Sequence, residues 1–330
     1  MQPPYLLFLG DVHDQLAAKT AHGIKDWRPE RCFGQLRLAG CRADISIPDV
    51  TIAEAAASGC RTMIVAVANS GGYLADHWVP HIVAALDAGM DVASGLHQRL
   101  VDLPEIAEAA DRNGRELFDV RHPKHRFKTG TGVKRAGKRL LTVGTDCSCG
   151  KKYTALAIDK EMQARGRKST FRGTGQTGVM ISGHGVAIDA VVSDFIAGAA
   201  EWLAPDNTPD HWDIVEGQGS LFHPAFAGVT LGLIHGSQPD ALVLCHEPTR
   251  THVRGLKHQP IPDLQECLLA NLQAARLTNK AVKAVGVSVD THNLGPAERT
   301  AYLKKVEDEL GLPATDPVAL GIGPIVDKLW

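Results

Sequence analysis

An apolar run, a glycine loop and a helix, placed in that order, commit part of this chain to one local structure. The strand pattern RLLTV ends at Gly144, a loop runs to Gly150 and Lys151, and YTALAIDKEMQARG follows with helical spacing. Glycines let successive backbone N–H groups turn toward a common centre, the helix N-terminus adds partial positive charge, and Lys151 reaches over the oxygens of a phosphate. A glycine turn with a surface lysine would look alike in isolation, but the setting between strand and helix favours a phosphate loop. Gly144, Thr145, Asp146, Cys147, Ser148, Cys149, Gly150, Lys151, Lys152, Tyr153 and Thr154 are therefore expected to line a cofactor site.

Two departures shape what that loop can do. Five residues separate Gly144 from Gly150, where the usual motif has four. Lys152 stands where nucleotide hydrolases place the Ser or Thr whose hydroxyl ligates Mg²⁺. Thr154 carries a hydroxyl but lies most of a helical turn beyond the usual position. Two lysines can neutralise a pyrophosphate directly, so the loop is expected to hold a nucleotide handle without a metal and without hydrolysing it. Coenzyme A is such a handle, with adenosine 3′-phosphate and pyrophosphate at one end and a reactive thioester at the other.

Short apolar runs alternate with helical patterns along the rest of the chain, the rhythm of parallel sheets flanked by helices. In the first half YLLFLG, TMIVAVAN and DVASGL read as strands, and TIAEAAASG and HIVAALDAG as helices stopped by a glycine. The fold expected is α/β: a Rossmann-like N-terminal domain, without a dinucleotide fingerprint, followed by a P-loop α/β domain with a mainly parallel sheet. Between Arg121 and Arg139 lie eight Lys or Arg and no acid. This segment reads as a domain boundary, either a solvated linker or an arm that neutralises further phosphates. The domains are accordingly 1–127, a basic linker 128–139, and 140–330.

With 22% charged residues and a formal net charge of -2, the chain lacks the basic surface of a general nucleic-acid binder. Its apolar runs are strand-sized, far below the roughly 20 residues of a membrane-spanning helix. The N-terminus MQPPYLLFLGDVHDQ has no basic region before its apolar run and reads as a first strand, which makes the cytoplasm the default compartment. Seven cysteines without paired zinc spacing read as reduced thiols. Cys147 and Cys149 are small residues suited to wrapping phosphate, a simpler account than a thioester relay.

The stretches GTDCSCGKKYTALAI, GTGQTGVMISGHGVAIDAVVSDFIAGAAEWL, WDIVEGQGSLFHPAF and LVLCHEPTR, in this order, resemble the P-loop D-glutamate N-acetyltransferase family. The loop itself is similar to that of dethiobiotin synthetase-like P-loop proteins. The family resemblance covers most of the chain and is strongest from about Leu140 to Arg250. It implies acetyl transfer from acetyl-CoA to the amine of D-glutamate in D-amino acid catabolism, by a homodimer, and makes Asp194 a catalytic candidate.

Other candidates come from strand ends, where α/β folds keep their ligand crevice. Glu216, after the strand WDIV, is a candidate base or ammonium holder, and Gln218 follows it. His235 and His246 follow GVTLGLI and ALVLC, so both are expected at strand ends as catalytic candidates. Arg250 could pair with a carboxylate or a cofactor phosphate. GTGQTG, Gly173 to Gly178, is expected to be a loop, either a tight turn or one lending Thr174, Gln176 and Thr177 to the substrate. Lys19 and Arg99 are the cations proposed for a dicarboxylate substrate. Two rival functions remain open on the residues: a Mg-ATP-dependent ligase or kinase, with Mg²⁺ at Thr154 or Asp146, and a nucleotide-sensing regulator.

Overall fold

The computed structural model describes residues 1–330 except for the side chain of Ser70. The chain forms two compact units, residues 1–124 with 176–190, and residues 125–175 with 191–330. The first unit alternates β1 (Tyr5–Gly10), α1 (Lys19–Trp27), β2 (Cys32–Arg37), α2 (Ile52–Ala57), β3 (Thr62–Val65), α3 (Val79–Asp87), β4 (Asp91–Ser94), α4 (Pro104–Asn113) and β5 (Leu117–Asp119). All its strand pairs are parallel, in the order β2-β1-β3-β4-β5. β1 is buried along its whole length, as a central strand covered on both faces must be. The three strands and two helices read from the sequence are present. β2 and β5, which that reading did not see, form the two edges of the sheet.

The second unit begins with β6 (Lys138–Gly144), α5 (Lys151–Ala164) and β7 (Ser169–Arg172). A short helix, α6 (Gln176–Ser182), then belongs to the first unit, and the chain returns as α7 (Ile196–Leu203). There follow β8 (Trp212–Val215), α8 (Ala227–Ser237), β9 (Ala241–His246), α9 (Leu264–Arg276), β10 (Lys283–Val289), α10 (Pro296–Leu310) and β11 (Ala314–Thr315). The sheet is all parallel with the order β11-β10-β9-β6-β8-β7. β6 thus lies inside the sheet between β9 and β8, and its carboxyl end opens where neighbouring strands also end, the usual crevice of such folds.

The basic arm does not serve that crevice at its second half. Arg139, the second residue of β6, is wholly buried and donates to the carbonyls of Arg135, Ala136, Ala204 and Pro205. Arg135 donates to Gly236 O at 2.7 Å, and Lys134 to Gln238 O at 3.0 Å. These groups sit at the amino end of β6, the opposite edge of the sheet from the phosphate loop. The segment from Lys134 to Arg139 is a clamp on backbone carbonyls and not a phosphate-neutralising arm.

Candidate functional site

The loop after Gly144 is pinned to the next strand by Thr145 N–H donating to Cys245 O at 3.1 Å. Gly150 has a φ of 95°, a left-handed value that a side chain would strain, and it turns the chain into α5. No side chain among the described residues caps α5, so its first N–H groups open into the arc of the loop. Lys151 is buried with Nζ donating to Asp146 O at 2.6 Å, which sets the ammonium inside that arc. The stem reaches there because position 217 is glycine. A Cβ on Gly217 would lie 1.7 Å from Thr142 O and 3.0 Å from Lys151 Cδ. Lys152, half-buried, lies 5.3 Å from the centroid of the Tyr153 ring.

The hydroxyl considered as a stand-in metal ligand is already engaged. Thr154 is fully buried, and its Oγ1 donates to Gly150 O at 3.0 Å and pairs with Ser288 Oγ at 2.7 Å. The Asp146 carboxylate is a hub: Oδ1 accepts from Cys147 N–H at 2.7 Å, and Oδ2 from Arg250 at 2.7 Å and from Arg254 N–H at 2.8 Å. Asp146, Cys147 and His223 each place a potential metal-binding atom within 4.8 Å of one another. Both ring nitrogens of His223 are already engaged, since Nδ1 accepts from Ala225 N–H at 3.2 Å and Nε2 faces Arg254 O at 3.2 Å. Burial raises the Cys147 thiol above its ordinary range, with the adjacent lysine opposing, so little thiolate forms at neutral pH. Cys149 is buried with Sγ donating to Asp146 O at 3.1 Å and to Cys245 O at 3.3 Å.

Glu216, at the carboxyl end of β8, is buried, and its Oε2 accepts from Thr174 N–H at 2.9 Å and Gly175 N–H at 3.2 Å. Burial pushes its carboxyl upward, while the charge of Lys152, the two backbone donors and Lys151 pull it down. Thr174 Oγ1 donates to Glu216 O at 2.6 Å and accepts from Gln218 Nε2 at 3.2 Å. Thr174, Glu216 and Gln218 thus form one hydrogen-bonded cluster, within which Glu216 feels the charge of both lysines. His246 ends β9 as expected; its Nδ1 lies 3.0 Å from Thr145 Oγ1 and its ring stacks on Tyr302 at 6.1 Å. Burial lowers its pKa to about 4, so the ring is neutral at physiological pH.

Several candidates lie elsewhere. His235 is in the last turn of α8 and not at a strand end. The run GVTLGLIHGS buries Thr230, Leu233, Ile234 and Ser237, a spacing that makes one face of a helix. GTGQTG is not wholly a loop either, because α6 starts at Gln176. Gln176 and Thr177 belong to the first unit, where Thr177 Oγ1 lies 3.3 Å from Thr20 Oγ1. Asp194 is exposed in a one-turn 3₁₀ helix, Ser193–Phe195. Arg99 is exposed and paired side-on with Asp102 through two hydrogen bonds, which offsets its charge. Lys19 opens α1 and is exposed. The sequence reading missed Arg254 and Lys257. Their signal was present: from Pro248 to Pro262 the chain carries Arg250, Arg254 and Lys257 and no acid.

Strand β6, its glycine loop, the buried Lys151 and the all-parallel sheet define a P-loop α/β protein, one with a second lysine in place of the hydroxyl. The chain belongs to the DUF1611 family. Residues 126–326 match its "Domain of unknown function (DUF1611_C) P-loop domain" and residues 36–123 its "Domain of unknown function (DUF1611_N) Rossmann-like domain". Over 329 residues it is 55% identical to a D-glutamate N-acetyltransferase of Tritonibacter scottomollicae and 48% identical to one of Pseudoalteromonas sp., spanning 100% of this chain and 99% of each relative. The crystal structure of a DUF1611 family protein from Anabaena variabilis is similar with a TM-score of 0.86 and 30% identity, over 98% of both chains. The family expected from the sequence motifs is therefore the family found. No helix among the described residues is long and apolar enough to cross a membrane.

Proposed function

We propose that the protein transfers the acetyl group of acetyl-CoA to the amine of D-glutamate, as a cytoplasmic homodimer serving D-amino acid catabolism. The names of the two full-length relatives support the reaction and its acceptor. The observation that carries the donor is the pair Lys151 and Lys152 at the phosphate loop, with Thr154 and Asp146 both committed to internal hydrogen bonds. A Mg-ATP ligase or kinase would need one of those oxygens for its metal. A pyrophosphate that is held and not cleaved needs only cations and N–H donors.

In this reading the loop N–H groups and both lysines grip the pyrophosphate. A long pantetheine arm separates that pyrophosphate from the thioester, so groups touching the one do not touch the other. Glu216, whose carboxyl lies in the field of both lysines and whose oxygen bridges Thr174 and Gly175, is then a positioning residue that sets the lysines and the loop after β7. His246, neutral and bonded to Thr145, steadies the start of the phosphate loop in the same way. At the far end of the arm the substrate ammonium gives one proton to solvent, the amine nitrogen so freed attacks the acetyl carbon, the C–S bond breaks, and the second N–H proton passes to the departing thiolate, so that coenzyme A leaves as the thiol. Release of that thiol, followed across D-glutamate, L-glutamate and other amino acids, tests the proposal. Turnover confined to D-glutamate is expected, and ATP consumption with Mg²⁺ in place of thiol release would overturn it.

A further inference from the structure

We infer that the loop Thr249–Lys257 is a subsite for the 3′-phosphate of coenzyme A, held by Arg254 and Lys257. The inference rests on the acetyl-CoA reading above and goes beyond it to how one donor is told from a near copy.

The loop leaves the carboxyl end of β9 and lines a concavity of about 460 Å³. It carries three cations and no acid, in a protein whose overall charge is close to balanced. Its cations divide by what they already do. Arg250 is spent on the phosphate loop, donating to Asp146 Oδ2 at 2.7 Å, Cys147 O at 2.6 Å and Ser148 O at 3.1 Å. Arg254 gives one Nη1 bond to Ser148 Oγ at 2.5 Å, and the rest of its exposed guanidinium has no partner among the described residues. Lys257 is exposed and forms no ion pair among the described residues.

The loop is built and not merely charged. Val253 is buried, its N–H donates to Gln259 O at 2.9 Å, Gln259 N–H returns to Leu256 O at 3.0 Å, and Ile261 N–H reaches Thr251 O at 3.1 Å. Gln259 Nε2 donates to Phe222 O at 2.5 Å, and Arg254 N–H to Asp146 Oδ2 at 2.8 Å. These bonds hold the backbone that carries the cations before any ligand arrives, which lowers the ordering cost of binding.

The chemistry then selects the group. In coenzyme A the ribose carries the pyrophosphate on its 5′-oxygen and a third phosphate on its 3′-oxygen. A pyrophosphate at Lys151 and Lys152 therefore brings with it a second, separate anion one sugar away. A nucleoside triphosphate keeps its phosphates in a single run and would leave Arg254 and Lys257 unopposed.

The test compares acetyl-CoA with acetyl-3′-dephospho-CoA as donors to D-glutamate. The wild type should show a KM about tenfold or more lower for acetyl-CoA, as expected for losing a charge-assisted contact. Arg254→Ala and Lys257→Ala should each shrink that ratio, and the double variant should bring it near one. Lys257 is exposed and forms no ion pair among the described residues, so its variant reports on binding even if Arg254→Ala disturbs the loop. Equal KM values for both donors in the wild type, or an undiminished preference in the variants, would overturn the subsite alone. No turnover with either donor would overturn the donor reading and the subsite with it.

Discussion

His246 gives a stability effect whose size follows from its surroundings. Its imidazole titrates at about 4 in the folded protein against an ordinary 6.5, because burial disfavours the charged ring. The depressed value means the unfolded chain binds the proton more readily. The stability this ring contributes is fully present above about pH 6.5 and is lost as pH falls toward about 4. At pH of about 4.5 the unfolded ring is almost wholly charged and the folded one only partly, so the linkage is worth about 2.5 kcal/mol. His246→Asn removes it. The variant also loses the stack on Tyr302 and alters the bond to Thr145, but those losses are nearly independent of pH and cancel in the comparison. Urea unfolding of both proteins, followed by tryptophan fluorescence at near-neutral and acidic pH, measures the effect. The gap between wild type and variant should narrow by about 2.5 kcal/mol on acidification. Parallel losses in the two proteins would refute the claim that burial keeps this ring neutral.

Three further outcomes are expected. Glu216→Gln should raise the thermal midpoint at neutral pH, since a carboxyl whose pKa is raised by burial favours the folded state only while protonated and costs stability above that pKa. The same variant should raise the KM for acetyl-CoA far more than it lowers kcat, and a collapse of kcat alone would make Glu216 the base. Lys152→Thr should weaken acetyl-CoA binding roughly ten- to a hundredfold by calorimetry, the worth of one charge-assisted bond, and the wild type should keep its rate in excess chelator; a chelator-sensitive wild type would return the metal to the mechanism. Gly217→Ala, which would press a Cβ to 1.7 Å from Thr142 O, should cost about 2 kcal/mol or more, and a melting curve matching the wild type would show that the strands yield at this point.

Legibility in the sequence followed the range of the forces involved. β6, the loop and α5 are local, so glycines, apolar runs and one lysine in the right order were enough. The ends of β8 and β9 were found because WDIV and ALVLC are compact apolar runs stopped by polar residues. β2 reads CFGQLR and is only partly buried, so its period of two is faint, and three-residue β5 is held by its pairing with β4. α8 was hidden because Val229 and Leu231 add apolar residues off its buried face, and the helical period vanished into a continuous apolar run. The Asp146 hub was beyond reach for another reason. Its bonds to Arg250 and Arg254 join positions more than a hundred residues apart, and no local pattern announces such a meeting.

The return of Gln176–Ala190 to the first unit bears on how the protein is made. The chain passes between units after Lys124, after Gly175 and again after Ala190. In the first unit α6 packs against α1, with Thr177 beside Thr20 and Val179, Met180 and Ile181 buried. A ribosome that has just released Lys124 has therefore not yet supplied all of the first unit's core. That core closes only after β6, α5 and β7 have also emerged, a delay of several seconds at ordinary synthesis rates of about 5–20 residues per second. The first unit cannot close before part of the second has emerged, and a fragment cut at the basic arm would leave one part missing a helix and the other carrying that helix with its apolar side chains uncovered.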